Sequence, residues 1–384
     1  MTFQINREKL LAELVDALDI PQSHYEQAKQ RAESLEEWLL RPNSLVRRFN
    51  PDVYPQGSFR YGTVIRPIHS NGYYDLDLVV TMDLSKSDVT QEDVKRLLGA
   101  EIKAYAEAKN FNDDPEEKPR CWRLNYADDV SFHMDILPSI PADEAQLQER
   151  FQLSISSDLA RHEIAITDTR HAFYRHISPD WYSSNPRGFA KWFEANAKKY
   201  AVDRIHRLVA NRVYASVDEI PPYEWKTLLQ RVIQIIKRHR DVYFLEDATF
   251  APISMILTTL ATKAYGGEPS IESALRTVVD RMPAFIQDQA PRVANPVNPK
   301  EDFADKWRDE PRYELNFREW HAQLRADVYQ LCSGANVHRI EASVKSGFDV
   351  RINLNSFASA LRSPTVTSSP APLIIPEGPK PWGQ

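Results

Sequence analysis

The sequence predicts an α+β protein in which a strand-containing half precedes a helical half. The segments "YYDLDLVVTMDL", "RCWRLNYA" and "VSFHMDILPSI" are rich in apolar residues over strand lengths, which favours β-strands. From about residue 157 onward, apolar residues recur at helical spacing, and prolines stand at the borders of the helical segments. The length of 384 residues is typical of a protein with roughly two domains.

The first half begins with two amphipathic helices, at 5–18 and 22–40. A third helix is predicted for "TQEDVKRLLGAEIKAYAEA", where Thr90 and Asp93 make a near-capping-box arrangement. The last two strands meet at Asp128-Asp129 and are a hairpin candidate. In the second half the predicted helices are 157–176, 187–199, 222–243, 252–265, 270–286 and 314–333.

This division gives the expected domain organisation. Residues 1–165 form the strand-containing part with its N-terminal helices, and residues 166–362 form the helical part. Residues 363–384 hold six prolines, so we expect an extended or disordered tail.

Composition excludes several classes of protein. A net charge of −6 and a pI near 6.0 argue against a large DNA-binding surface. Two cysteines, Cys121 and Cys332, are too few for a disulfide scaffold or a four-cysteine zinc site. The N-terminus lacks the apolar core of a signal peptide, and no segment approaches the ~20 apolar residues of a membrane span. We therefore expect a cytoplasmic protein without membrane association.

Carboxylates inside apolar strands are the main functional signal. Asp75 and Asp77 share one strand face, because side chains alternate between faces. Taken alone, this pair also fits a chance Asp-x-Asp on an exposed strand. Asp135 repeats the anomaly in a later strand, and buried charges are costly unless they are paired or bind metal. Three carboxylates on neighbouring strands therefore predict a site for a hard cation such as Mg²⁺.

Gly57 and Ser58 lie upstream of these aspartates in a predicted turn. Backbone N–H groups and a hydroxyl in such a turn can contact phosphate oxygens, although Gly-Ser turns are also common for structural reasons alone.

The order Gly-Ser, then Asp-x-Asp on a strand, then one Asp on a later strand resembles the DNA polymerase β-like nucleotidyltransferases. The resemblance implies that Asp75, Asp77 and Asp135 hold two Mg²⁺ ions, with Mn²⁺ as an alternative. It also implies that Ser58 contacts the β- and γ-phosphates of an NTP. Asp135 would ligate the metal that activates the acceptor hydroxyl.

A wider set of segments resembles the CD-NTases, the cGAS/DncV-like nucleotidyltransferases that make cyclic oligonucleotide messengers. These segments span about residues 20–335 and are "QGSFRYGT", "YDLDLVV", "HMDILPSI", "KRHRD", "PISMILTTLA" and "NPVNPKEDFADKW". The resemblance implies a polymerase β-like core with a mixed sheet, a helical C-terminal lobe and an active site in the cleft of this bilobed fold. It implies that Lys237 and Ser254 contact the donor triphosphate. From the residues alone, a solvated basic helix face explains Lys237, and an early-helix position that bonds the backbone explains Ser254.

The leading hypothesis is an Mg²⁺-dependent synthase that makes a cyclic di- or trinucleotide from NTPs, including ATP, in bacterial antiphage defence of the CBASS type. An activating regulatory protein is a candidate partner. Double-stranded DNA sensing is not expected, because the chain shows neither the zinc-binding insertion nor the basic faces of animal cGAS. The alternative is a mononucleotidyltransferase that adds one nucleotide to RNA, a protein or a small molecule. A third hypothesis, an inactive nucleotide-binding module, is disfavoured by the three aspartates.

Overall fold

The structure is a computed structural model that describes residues 7–69, 72–127, 130–199, 226–333 and 337–351. A mixed sheet with helices packed around it confirms the expected combination of strands and helices. The Pro-rich tail and the Asp128-Asp129 connection lie outside the described residues, and the division into domains stays a prediction.

The elements up to residue 199 combine strands and helices. The helices are Arg7–Leu18 (α1), Gln22–Leu40 (α2), Gly57–Arg60 (α3), Gln91–Ala108 (α4), Glu144–Gln152 (α5), Ser157–Ala160 (α6) and Pro186–Lys199 (α7), with a short 3₁₀ helix at Arg47–Phe49. The strands are Asp52–Gln56 (β1), Tyr74–Thr81 (β2), Glu116–Glu117 (β3), Trp122–Tyr126 (β4), Phe132–Pro141 (β5), Ile164–Ile166 (β6) and Tyr182–Ser184 (β7).

The described elements after residue 225 are mostly helical. The helices are Leu228–Tyr243 (α8), Ser254–Ala264 (α9), Ile271–Arg281 (α10), Lys306–Asp309 (α11), Arg312–Ser333 (α12) and Val337–Phe348 (α13), with a 3₁₀ helix at Met282–Phe285. The strands Ala294–Asn295 (β8) and Asn298–Asp302 (β9) form a small antiparallel pair.

The main sheet has the strand order β1-β2-β5-β4-β3, and β6 and β7 extend it from β5. The central pair, β2 and β5, is parallel, whereas the other neighbours are antiparallel. The antiparallel pairing of β4 with β5 agrees with the hairpin prediction for these two strands. Because the aspartates lie on β2 and β5, this topology brings them together at the centre of the sheet.

Two separate apolar clusters form most of the core. In the smaller cluster, α2 and α4 cover one face of the sheet, where Leu76, Leu78 and Ile136 are fully buried. The larger cluster contains buried side chains of six helices, namely α7, α8, α9, α10, α12 and α13. It also includes α1, whose buried side chains Leu10 and Leu14 therefore pack with the helices of the second half and not with the sheet.

Helix α8 begins later than the sequence pattern predicts. Thr227 accepts a hydrogen bond from the backbone N–H of Gln230, and the Gln230 side chain accepts one from the Thr227 N–H. This capping box starts the helix at Leu228, whereas the prediction placed its start at 222. Residues 222–225 lie outside the described part of the chain.

The predicted helix at 157–176 is wrong for most of its length. Only a single turn, α6, is helical there, and residues Ile164–Ile166 form the strand β6. All three residues of β6 are buried, and the strand pairs with both β5 and β7. Pairing on both edges outweighs the weak helical periodicity, since β-branched residues suit a buried strand.

Across the described ranges, no helix combines the length and the apolar character that crossing a lipid bilayer requires.

Candidate active site

A row of polar side chains crosses the sheet at one level. In register, Gln56 of β1 lies beside Asp77 of β2, and Asp77 lies beside Asp135 of β5. Arg123 of β4 follows Asp135, and Glu116 of β3 follows Arg123. Residues in register on adjacent strands project from the same face, so this row aligns three carboxylates and one guanidinium.

Asp75 lies two residues before Asp77 and therefore projects from the same face of β2. Its side chain is 65% exposed, and its Oδ1 is 3.5 Å from Nδ1 of His133 on β5. Asp135 is more enclosed, with 21% of its side chain exposed. The predicted convergence of the carboxylates on one side of the sheet therefore holds for the backbone positions of all three.

Gly57 allows the backbone to pass close to the side chain of Asp77. Its φ of +67° is in the left-handed region that favours glycine, and a Cβ added there would collide with the Asp77 carboxylate. Ser58 follows in the short helix α3, and its carbonyl accepts a hydrogen bond from the N–H of Thr63 at 2.9 Å. The Gly-Ser segment thus lies directly against the central aspartate.

One pocket, with a volume of about 370 Å³, joins these residues to the helices α8 and α9. Its lining includes every residue that the sequence nominated for the site, namely Gly57, Ser58, Asp75, Asp77, Asp135, Lys237 and Ser254. We refer to this pocket as the cleft. The sheet contributes the carboxylates on one wall, and the two helices contribute the lysine and the serine on the other.

Lys237 is buried, with only 6% of its surface exposed, so a solvated basic face is the wrong explanation for this residue. Its ammonium group donates a hydrogen bond to the carbonyl of Thr63 at 3.0 Å. Burial, followed by the nearby charge of Arg240, lowers the pKa of Lys237 to about 8. A buried ammonium that faces a cleft is suited to an anionic ligand.

Ser254 is the first residue of α9, where its hydroxyl accepts a hydrogen bond from Arg240 Nη1 at 3.1 Å. The same guanidinium donates to the carbonyl of Pro252 at 3.1 Å and also lines the cleft. Sequence reasoning missed Arg240 as a site residue. Its spacing of three residues from Lys237 places both on one side of the helix, which is the signal that could have found it.

Asp77 has an environment that disfavours its charge. Burial, and then the neighbouring charges of Asp75 and Asp135, raise the pKa of Asp77 to about 7. A divalent cation would offset this repulsion, and carboxylate oxygens are the donors that Mg²⁺ prefers. The donor chemistry of the three aspartates therefore fits such an ion.

The same carboxylates are not gathered as a ligand set. Within the part of the chain that the structure describes, no three histidine, cysteine or acidic side chains are close enough to hold a metal ion. Arg123, which sequence reasoning also missed, donates from Nε and Nη2 to the two oxygens of Asp135 at 2.7 and 2.8 Å. Its position in the sheet depends on strand register, so the sequence carries no local signal for it.

Comparison with known proteins gives matches along most of the chain. Residues 51–138, which hold the Gly-Ser segment and the three aspartates, match the family described as the nucleotidyltransferase domain of cyclic GMP-AMP synthase DncV-like proteins. A c-di-GMP synthase from Roseivirga ehrenbergii is 29% identical over 315 residues, which cover 81% of this chain and 75% of that protein.

Solved structures of similar fold extend over both halves of the chain. The Bradyrhizobium diazoefficiens CD-NTase CdnG in complex with GTP superposes with a TM-score of 0.69 at 21% identity, covering 94% of this chain and 99% of that one. The complex of CdnC with HORMA-deltaN from E. coli MS115-1 has a TM-score of 0.58 at 13% identity, covering 89% and 96%. These matches show that the chain shares its fold with these two proteins over most of its length.

Proposed function

We propose that this chain, which is similar to the CD-NTases in sequence and fold, is a nucleotidyltransferase that joins nucleoside triphosphates into a cyclic dinucleotide. The observation that carries this proposal is the shared cleft: residues separated by up to about 200 positions in sequence line one pocket. Three carboxylates lie on one wall of this pocket, and a buried lysine and a serine lie on the other. This is the distribution of charge that a nucleotide with its metal ions requires.

In the proposed reaction, a ribose hydroxyl of one nucleotide attacks the α-phosphorus of the other, and pyrophosphate leaves. A second transfer in the opposite sense closes the ring. Asp75, Asp77 and Asp135 would hold two divalent cations, which supply positive charge to the attacking and leaving oxygens. Lys237 and Ser254 would hold the donor triphosphate, and Asp135 is suited to accept the hydroxyl proton.

We propose GTP as a substrate, because one relative is named a c-di-GMP synthase and the CdnG structure contains GTP. ATP, which the sequence-based hypothesis includes, is the second nucleotide to test. The purified chain is incubated with GTP, ATP or both in the presence of Mg²⁺, treated with phosphatase and analysed by mass spectrometry. We expect a phosphatase-resistant cyclic product and the release of two pyrophosphates per dinucleotide.

Asp77→Asn should abolish turnover, since it removes a charge that the metal ions require while changing the side-chain volume little. The control is Asp113→Asn, an equal change at an exposed loop residue outside the cleft. Both variants should keep the wild-type circular dichroism spectrum. Full product formation by Asp77→Asn contradicts the metal assignment. Transfer of a labelled nucleotide to added RNA or protein would instead favour the alternative, a mononucleotidyltransferase.

We also propose that the product acts in antiphage defence and that a regulatory protein controls its synthesis. The CdnC structure with HORMA-deltaN supports a partner protein as a candidate regulator. Bacteria that carry the gene for this chain together with its native flanking genes are challenged with phage, and Asp77→Asn serves as the inactive control. Equal plaque numbers for the two strains would argue against the defence role.

A further inference from the structure

Arg123 holds the carboxylate of Asp135 at the edge of the cleft. The two residues are in register on β4 and β5, and the guanidinium donates from Nε and Nη2 to both carboxylate oxygens. This paired geometry is the strongest form of an arginine–carboxylate contact. The contact therefore places the positively charged guanidinium of Arg123 where the proposed function requires a divalent cation.

The ion pair between Arg123 and Asp135 is partly exposed, so its two side chains can separate. The side chains of Arg123 and Asp135 are 24% and 21% exposed, and both line the cleft. By contrast, the similar pair of Arg150 with Glu163 is almost fully buried. Separating two buried charges leaves each without solvent, whereas water or ions in the cleft can reach Arg123 and Asp135 once they part.

A second carboxylate, that of Glu116, lies on the other side of Arg123. Glu116 of β3 is its register partner in the direction away from Asp135, and residues in register share a face. Glu116 is exposed, accepts a hydrogen bond from the Asn125 side chain at 2.8 Å and forms an ion pair with Lys118 at 2.5 Å, so a guanidinium that reaches Glu116 would share its carboxylate with Lys118. Neighbouring strands are about 4.8 Å apart, so a rotamer change of Arg123 is enough to move its guanidinium from one carboxylate to the other.

We propose that Arg123 is an internal counter-ion of Asp135 that competes with the divalent cation and moves toward Glu116 when the cation binds. This inference rests on the proposed function, because it assigns Asp135 to the metal. Arg123 acts through the carboxylate and is therefore a positioning residue. The opposite arrangement, in which Arg123 stays on Asp135 and orients it for the metal, predicts the opposite sign in the experiment below.

The test is the affinity for Mn²⁺, measured without nucleotide by the electron paramagnetic resonance signal of the free ion. Arg123→Gln should tighten Mn²⁺ binding about fivefold, which is the scale of one partly exposed ion pair. Arg120→Gln is the control, because it removes the same charge three residues away and outside the cleft. Unchanged or weaker binding by Arg123→Gln overturns the proposal.

A second pair of variants tests the movement toward Glu116. Glu116→Gln removes the alternative partner, so it should weaken Mn²⁺ binding more than Glu117→Gln, an equal charge change at the adjacent exposed residue. Equal effects of these two variants overturn this part of the proposal. If Arg123→Gln fails to fold, Arg123→Lys replaces it, since lysine keeps the charge but cannot bind both oxygens and should tighten Mn²⁺ binding to a smaller extent.

The failure of the proposed function has a different signature. Asp135→Asn should weaken Mn²⁺ binding in every case in which Asp135 is a ligand. Wild-type affinity in Asp135→Asn therefore contradicts the metal assignment itself. Weaker binding in Asp135→Asn, together with no gain in Arg123→Gln, contradicts only the competition by Arg123.

Discussion

At the scale of single residues, Lys237 is a buried charged side chain whose position at the cleft indicates a role in binding. Burial of an ammonium group is unfavourable unless other groups stabilise it. The Thr63 carbonyl supplies one hydrogen bond, and Asp241, Asp75 and Asp77 supply negative charge nearby. Lys237 also lines the cleft opposite the aspartates, and this position, together with its burial, supports its assignment to the donor triphosphate.

Lys237→Ala should weaken the binding of a non-hydrolysable NTP about tenfold, since it removes a charge-assisted phosphate contact. The matched control is Lys263→Ala in α9, because Lys263 is also enclosed, has a pKa lowered by burial and donates to a backbone carbonyl, that of Ala294. Isothermal titration calorimetry measures both affinities. Equal losses in the two variants would assign Lys237 a structural role.

The same residue gives a dependence on pH. Because its pKa is lowered to about 8, folded Lys237 loses its proton well below the ordinary range of lysine. The nucleotide affinity of the wild-type protein should therefore fall as the pH rises through 8, and the Lys237→Ala variant should show a flatter profile. Its burial also means that the stability of the folded protein rises between pH 8 and the unfolded pKa, as the cost of the buried charge disappears.

The three aspartates could be nominated from the residues themselves, whereas Lys237 and Ser254 were nominated only through the resemblance to the CD-NTases. Asp75, Asp77 and Asp135 interrupt apolar strands, and Gly57 carries a conformation that other residues avoid. Arg123 was not predictable in the same way, because its partner lies across a strand pair whose register is a property of the sheet.

At the scale of elements, α8 connects to the cleft through a series of side chains that donate to backbone carbonyls. Gln230 donates to Tyr61, Gln234 to Val64, Lys237 to Thr63 and Arg238 to Arg66. The four donors are buried and fall on one side of the helix. They hold the segment that follows Gly57 and Ser58 against α8, and thereby fix the distance between the two walls of the cleft.

Gln234→Leu should lower the free energy of unfolding by about 1–3 kcal/mol, because it leaves the buried Val64 carbonyl without its donor. The variant also removes a hydrogen bond of 2.7 Å to Asp19. Gln22→Leu is the control, since its side chain bonds to Glu26 in an exposed position. Urea denaturation measures both changes, and equal stability of the two variants would contradict an anchoring role for Gln234.

The apolar stripe of α8 predicted the helix, but the burial of its polar side could not be predicted. Helical periodicity shows which face is apolar, and the partner of the other face is the backbone of a segment about 170 residues earlier. The wrong helix at 157–176 has a related cause. Pairing with β5 and β7 decides the conformation of β6, and these partners are not visible within a local window of sequence.

At the scale of the whole molecule, the two apolar clusters are tied together by polar contacts. The anchoring side chains of α8 reach the first half, and a buried ion pair joins Arg60 of α3 to Glu194 of α7. Among the described residues, the strands of the main sheet all precede residue 185 and the elements after residue 225 are mostly helical, but α1 packs with the larger, helical cluster. An amphipathic helix does not encode which of two apolar surfaces it covers, so this placement required the structure.

A chain that ends at Arg362 should fold and keep its specific activity with NTPs. The deleted segment holds six prolines and few apolar residues, so we do not expect it to bury enough surface to offset an ordering cost of about 1–2 kcal/mol per residue. Differential scanning fluorimetry and the product assay compare the truncated and full-length chains. A lower melting temperature or slower turnover would make the tail part of the enzyme.

The contact between Gly57 and Asp77 constrains the mutational history of the chain. A side chain at position 57 would occupy the space of the Asp77 carboxylate, so a lineage that keeps the aspartate must also keep the glycine. Once drift has replaced Asp77 by a smaller residue, only the backbone conformation still disfavours other residues at position 57. Among descendants of this protein, loss of the glycine should therefore follow loss of the aspartate, and a retained glycine beside a missing aspartate would mark a recently inactivated copy.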